Sequence, residues 1–142
     1  MRATATGELS FGVFTVSEAV GAQIVVDGSS GAVVARGADH RDCDTAPVCK
    51  PRPATITLSG ATEHVYDVHV PRNVTVSGLR SGAKLTIDQI APESRNPAPG
   101  PETGRLDSNG RDLFAIGGRI QAPAGATPDS YLGELRVTVF YY

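Results

Sequence analysis

Apolar and polar residues alternate along much of this chain. From Tyr131 to Tyr142, Leu135, Val137, Val139 and Tyr141 share one parity, and Glu134, Arg136 and Thr138 the other. A period of two sends successive side chains to opposite faces of a sheet, so the segment predicts a half-buried closing strand. Phe140 and Tyr142 are apolar exceptions on its outer face. Leu9, Phe11 and Val13 alternate near the start, Ile56 and Leu58 alternate with threonine and serine, and Tyr66, Val68 and Val70 alternate with Asp67 and His69. Val74 and Val76, then Leu85 and Ile87, continue the pattern. Phe114, Ile116 and Ile120 form another strand, in which Gly117-Gly118 predicts a bulge or a close backbone approach. Ile24 and Val26 lead into Asp27-Gly28-Ser29-Ser30-Gly31 and an apolar return over residues 32–35, which is hairpin chemistry.

About nine short strands with turn signals between them predict an all-β antiparallel sandwich. Sixteen glycines and ten prolines in 142 residues agree with a turn-rich chain. The one stretch that suggests a helix, residues 17–23, has length for a single turn. No linker interrupts the pattern, so residues 8–142 read as one domain, with residues 1–7 as a disordered or truncated leading segment. Two connections are long. Residues 37–53 hold both cysteines, and residues 91–110 hold Pro92, Pro97, Pro99 and Pro101. The second is expected to be exposed and mobile.

Charge and chemistry remove several function classes. The formal net charge is −2, with no basic run, so no nucleic-acid partner is expected. No apolar stretch approaches the ~18 residues of a membrane span, so no membrane insertion is expected. Cys43 and Cys49 enclose five residues, unlike the Cys-x2-Cys of zinc ribbons or thioredoxin-like sites. The preferred reading is a disulfide stapling one loop, which places the protein in an oxidising compartment. A metal held with His40, Asp42 and Asp44 is the alternative. His40, His64 and His69 read as surface histidines, and no nucleophile motif accompanies them, so no catalytic residue, metal or cofactor is expected. Asp27, Asp107 and Asp129 invite a calcium reading, but Asp-Gly and Asn-Gly are ordinary turn chemistry.

Three segments together carry a resemblance. They are Leu9-Ser10-Phe11-Gly12-Val13-Phe14, then Thr55 to Gly60 followed by Tyr66-Asp67-Val68-His69-Val70-Pro71, and finally Tyr131-Leu132-Gly133-Glu134-Leu135 running into Arg136 to Tyr141. The chain resembles the bacterial family called domain of unknown function 4402, and is similar in layout to spore-coat-U-type and archaic chaperone–usher pilin subunits. The resemblance implies an exported immunoglobulin-like, pilin-like sandwich lacking one strand, with residues 1–7 as its disordered or truncated N-terminal donor segment. A neighbouring copy, a related subunit or a periplasmic chaperone fills the gap by strand addition, with an outer-membrane usher as a further partner. Carried over by position, the groove walls are Leu9, Phe11, Val13 and Phe14 on one side, and Leu135, Val137, Val139 and Tyr141 on the other. The implied role is a non-enzymatic subunit of a surface fibre, exported through the periplasm after loss of a signal peptide. The alternative is a self-contained secreted adhesin that uses the 91–110 loop.

Overall fold

The computed structural model describes residues 1–40, 50–100 and 102–142. Its strands are β1 (Arg2–Gly7), β2 (Phe14–Val16), β3 (Ala22–Val26), β4 (Val33–Arg36), β5 (Ala38–His40), β6 (Ala54–Ser59) and β7 (Val65–His69). They continue as β8 (Val74–Gly78), β9 (Lys84–Ser94), β10 (Thr103–Arg105), β11 (Arg111–Ala122), β12 (Tyr131–Leu132) and β13 (Thr138–Tyr141). All pairings between these strands are antiparallel, and no helix occurs among the described residues. The fold is a β-sandwich. A large sheet in the order β1-β6-β11-β9-β8-β12, with the β3–β4 hairpin added on β11, lies against a small sheet β10-β7-β13 and a β2–β5 ribbon.

Strand β11 is the spine of the large sheet. On one side its first half pairs with β6, Phe114 opposite Ile56, and its second half with β3, Ile120 opposite Ile24. Its other side pairs with β9 from Phe114 to Gln121, with a register shift between Gly117 and Arg119. The hand-over between β6 and β3 requires glycine. A Cβ on Gly117 would overlap the Val26 carbonyl oxygen and come within 2.6 Å of the Gly28 nitrogen. The Gly117-Gly118 pair therefore marks both the bulge and the close approach that the sequence predicts.

Alternation becomes packing across the sandwich. Ile24, Val26, Ile56, Leu58, Phe114 and Ile116 from the large sheet meet Tyr66 and Val68 from β7, with Leu106 fully enclosed between them. The Tyr66 and Phe114 rings lie 6.1 Å apart and tilted. One polar cluster crosses this core. Tyr66 donates its hydroxyl to Asp112 Oδ2 at 2.5 Å, and Ser94 donates to the same oxygen at 2.5 Å. Asp112 is the single buried charged side chain among the described residues, and this network ties β7 to β9 and β11. Burial first, and then the Asp112 carboxylate, push the Tyr66 hydroxyl well above the ordinary tyrosine range.

Three expectations need correction. Residues 1–7 are neither disordered nor separate from the sheet: β1 pairs with β6, Arg2 opposite Ser59 and Thr4 opposite Thr57. Small alanines and β-branched threonines suit an exposed edge strand there. Residues 9–13 are not a strand. Gly12 takes φ 79°, which breaks the alternation, and the chain holds one bridge from Ser10 to Arg52 before β2 begins. Residues 91–110 are largely structured. β9 runs through Pro92, which survives because β8 pairs only with Lys84–Ile87, leaving that side of β9 free of a ladder. Gly104 and Leu106 are buried, and Thr103 Oγ1 donates to the carbonyls of Ala98 at 2.8 Å and Gly100 at 2.9 Å. Pro101 lies outside the described residues.

The three aspartates raised as calcium candidates cap turns instead. Asp27 Oδ1 accepts from the Ser29 amide and hydroxyl, and Asp107 Oδ1 from the Asn109 and Arg111 amides. Asp129 accepts from the amides of Arg80, Ser81 and Ser130 and from the Ser81 hydroxyl, locking the β8–β9 turn to the approach of β12.

Two outcomes follow. Replacing Tyr66 by Phe strips the buried carboxylate of a donor, and should lower unfolding free energy by about 1–3 kcal/mol in urea titration with the slope unchanged. The Ser81 amide and hydroxyl hold the Asp129 carboxyl down to about 2. The fold thus binds this proton more weakly than the unfolded chain, so the stabilisation is complete above about pH 4 and fades as pH falls toward the native value. Melting temperatures recorded down the acid range should fall less steeply for Asp129→Ala than for the parent, from a lower starting point.

Candidate functional site

β13 has one unpaired side, as do the other edge strands β1, β4, β10 and β12 among the described residues. β13 pairs with β7 alone, Thr138 opposite His69 and Tyr141 opposite Tyr66. The Tyr142 amide donates to the Val65 carbonyl at 3.0 Å. Antiparallel alternation then turns the main-chain groups of Thr138 and Phe140 toward β7, and those of Val139 and Tyr141 toward the unpaired side. Just upstream, residues 133–137 belong to no strand, and among the described residues no main-chain hydrogen bond reaches them. They connect β12, on the large sheet beside β8, to β13 on the small sheet. The single closing strand read from the sequence is therefore two short strands on different sheets with an unpaired segment between them.

The side chains along this stretch keep the predicted parity. Leu135, Val137, Val139 and Tyr141 are each half-buried against the core, and Glu134, Arg136, Thr138 and Phe140 face out. Half-burial is the telling state: the same core encloses Ile24, Tyr66, Leu106, Phe114 and Ile116 completely. On the other named wall, Phe11 is buried, and Leu9 and Phe14 are half-buried on the same core. Val13 is 41% exposed, because Gly12 turns it away. Val16 and Ala38 on the β2–β5 ribbon, which the sequence reading did not include, also pack half-buried there. Their place follows from Phe14-Thr15-Val16 continuing the alternation after the glycine, a signal present in the sequence. β2 pairs only with β5, so among the described residues no ladder joins the two walls.

His40 has a structural part. Its Nε2 lies 3.0 Å from the Phe11 carbonyl, and its ring sits 5.7 Å from that of Phe14, which fixes the first wall. His64 and His69 are exposed, as the sequence suggests, and each meets an aromatic ring of the closing segment: His64 stacks on Tyr141 at 5.2 Å, and His69 meets Phe140 edge-on at 4.9 Å. Tyr142 donates to Asp67 Oδ2 at 2.7 Å, which raises its hydroxyl above the usual range. These contacts staple β13 to β7 through side chains on both of its faces. Cys43, Cys49, Asp42 and Asp44, and with them the disulfide and metal readings, lie outside the described residues.

Comparison with known proteins gives one match. The family model described as "Domain of unknown function (DUF4402)" covers residues 1–141. No curated protein and no solved structure matches the chain.

The geometry sets an expected pattern of hydrogen exchange. The amides of Leu135, Arg136 and Val137 should exchange within about tenfold of an unstructured peptide, while those of Phe114 and Ile116 exchange only on global opening. Equal protection in both sets, measured on the isolated protein by nuclear magnetic resonance, contradicts an open edge.

Proposed function

Because the chain belongs to the DUF4402 family, whose description assigns no activity, we propose a function from the geometry: it is a non-enzymatic structural subunit that assembles by accepting a strand at the free edge of β13. The observation that carries this reading is the combination at residues 133–141 of unpaired main chain with an apolar face buried only halfway. A strand laid there gains main-chain hydrogen bonds from Val137, Val139 and Tyr141 and covers Leu135, Val137, Val139 and Tyr141 on one flank, with Leu9 and Phe14 on the other. Three or four apolar side chains from the incoming strand, at about 2 kcal/mol each, amount to a large share of the 5–15 kcal/mol that holds a domain folded.

This reading takes the sandwich as immunoglobulin-like and pilin-like, short of one strand. The partners are neighbouring copies or related subunits. A periplasmic chaperone occupies the edge in transit, and an outer-membrane usher follows. The protein is then exported and ends at the bacterial cell surface. The adhesin alternative is less well supported, because residues 91–110 are mostly tied into β9, β10 and the core instead of forming a free contact loop.

Val137→Pro tests the proposal. Proline removes an amide that has no partner within the described fold, and suits the extended segment. The full-length exported protein should form strand-linked polymers on chromatography and mass spectrometry, and the variant should stay monomeric with a melting temperature within about 5 °C of the parent. A folded parent that remains monomeric, or a variant that polymerises as well as the parent, overturns the reading.

A further inference from the structure

The outer face of the large sheet carries a second feature, independent of the β13 edge. Register places its side chains in rows. Arg2, Ser59 and Arg111 stand directly opposite one another across β1, β6 and β11. In the next row Thr4, Thr57 and Leu113 align, and the Arg95 amide donates to the Leu113 carbonyl at 2.9 Å, which sets Arg95 at the end of that row. Strands about 4.8 Å apart put Arg2 and Arg111 about 10 Å apart at the backbone, with Ser59 between them. Arginine side chains are long enough to converge over that gap. The residues enclose a cleft of about 510 Å³.

Among the described residues, no ion pair or side-chain hydrogen bond engages Arg2, Arg95 or Arg111 through its guanidinium. The contrast lies on the same face. Arg119 there forms a two-pronged pair with Asp88, at 2.8 and 2.7 Å, so this sheet pairs an arginine where a carboxylate is placed for it. Glu93, near the end of β9, lies two residues from Arg95 and makes no ion pair with it. Two acidic residues line the cleft, and both are committed. Asp112 holds its carboxylate on the core side with Tyr66 and Ser94, and Asp107 Oδ1 takes the Asn109 and Arg111 amides. The lining carries three exposed arginines against two carboxylates, a formal balance of +1 in a chain of formal charge −2, so the cleft favours an anion.

We propose that this cleft is an oxyanion site: Arg2, Arg95 and Arg111 clasp a phosphate or sulfate group, free or esterified on a glycan, with the Ser59 hydroxyl as a further donor. Guanidinium forks match the paired oxygens of such groups, and hydroxyl donors between them suit the remaining oxygens. Neutral sugars have little to stack on, because no aromatic residue lines the cleft.

Isothermal titration with inorganic phosphate, inorganic sulfate and a size-defined sulfated oligosaccharide tests this, with a neutral oligosaccharide as control. Saturable binding is expected with at least one anion and not with the neutral sugar, weakening as salt rises. Binding by the inorganic ions alone identifies a free-ion site, and much tighter binding of the oligosaccharide identifies an ester-bearing glycan. Arg95→Gln and Arg111→Gln should each weaken binding by about tenfold. Arg72→Gln, on a turn away from the cleft, should leave it unchanged. Absence of binding to all three anions, or equal binding by the parent and both cleft variants while their melting curves match, overturns the proposal. Polymerisation through β13 is unaffected by these substitutions, so the two readings fail separately.

Discussion

Main-chain groups at a sheet edge must find partners, and most of this structure can be understood from where they do. Within the large sheet β11 meets that demand on both sides, taking β6 and then β3 on one flank and β9 on the other. At the far side of the sandwich the demand goes unmet along β13 and the segment before it. The core beneath has a rim of half-buried apolar residues around a fully enclosed centre. Unpaired main chain and partly covered apolar side chains thus coincide along this stretch.

Cohesion between the sheets comes from two sources of different character. Aliphatic packing supplies most of the area, but tolerates sliding and substitution. The Tyr66–Asp112–Ser94 cluster does not, since one buried carboxylate oxygen takes two short hydrogen bonds from different strands. A buried polar group of this kind is costly unless satisfied, so it selects a single relative placement of β7 over β9 and β11. β13 pairs with β7, so the same cluster sets the placement of its unpaired edge.

Much of the fold could be read in the sequence because alternation is a local signal. The strands carrying Ile56, Tyr66, Val76, Leu85 and Phe114, the hairpin after Val26 and the glycine bulge were all available from period and turn chemistry. What stayed hidden depended on partners distant in sequence. Nothing local tells that Tyr131 and Tyr141 belong to different sheets, because both lie in one unbroken alternating run. The prolines of residues 91–110 suggested a loop, while Pro92 sits in a strand whose free side no local pattern reveals. Gly12 was visible as a glycine, yet nothing local shows that its backbone is left-handed, which sends Phe11 inward and Val13 outward. The arginine rows depend on register across three strands, and no single strand shows them.

Arg111 and Asp112 are neighbours in sequence and face opposite ways, one toward solvent and one into the core. A single inserted or deleted residue in the first half of β11 inverts that parity: the arginine turns inward, the aspartate outward, and Leu113 and Phe114 exchange sides. An insertion or deletion is therefore cheaper in a turn than in this stretch, unless a bulge absorbs it.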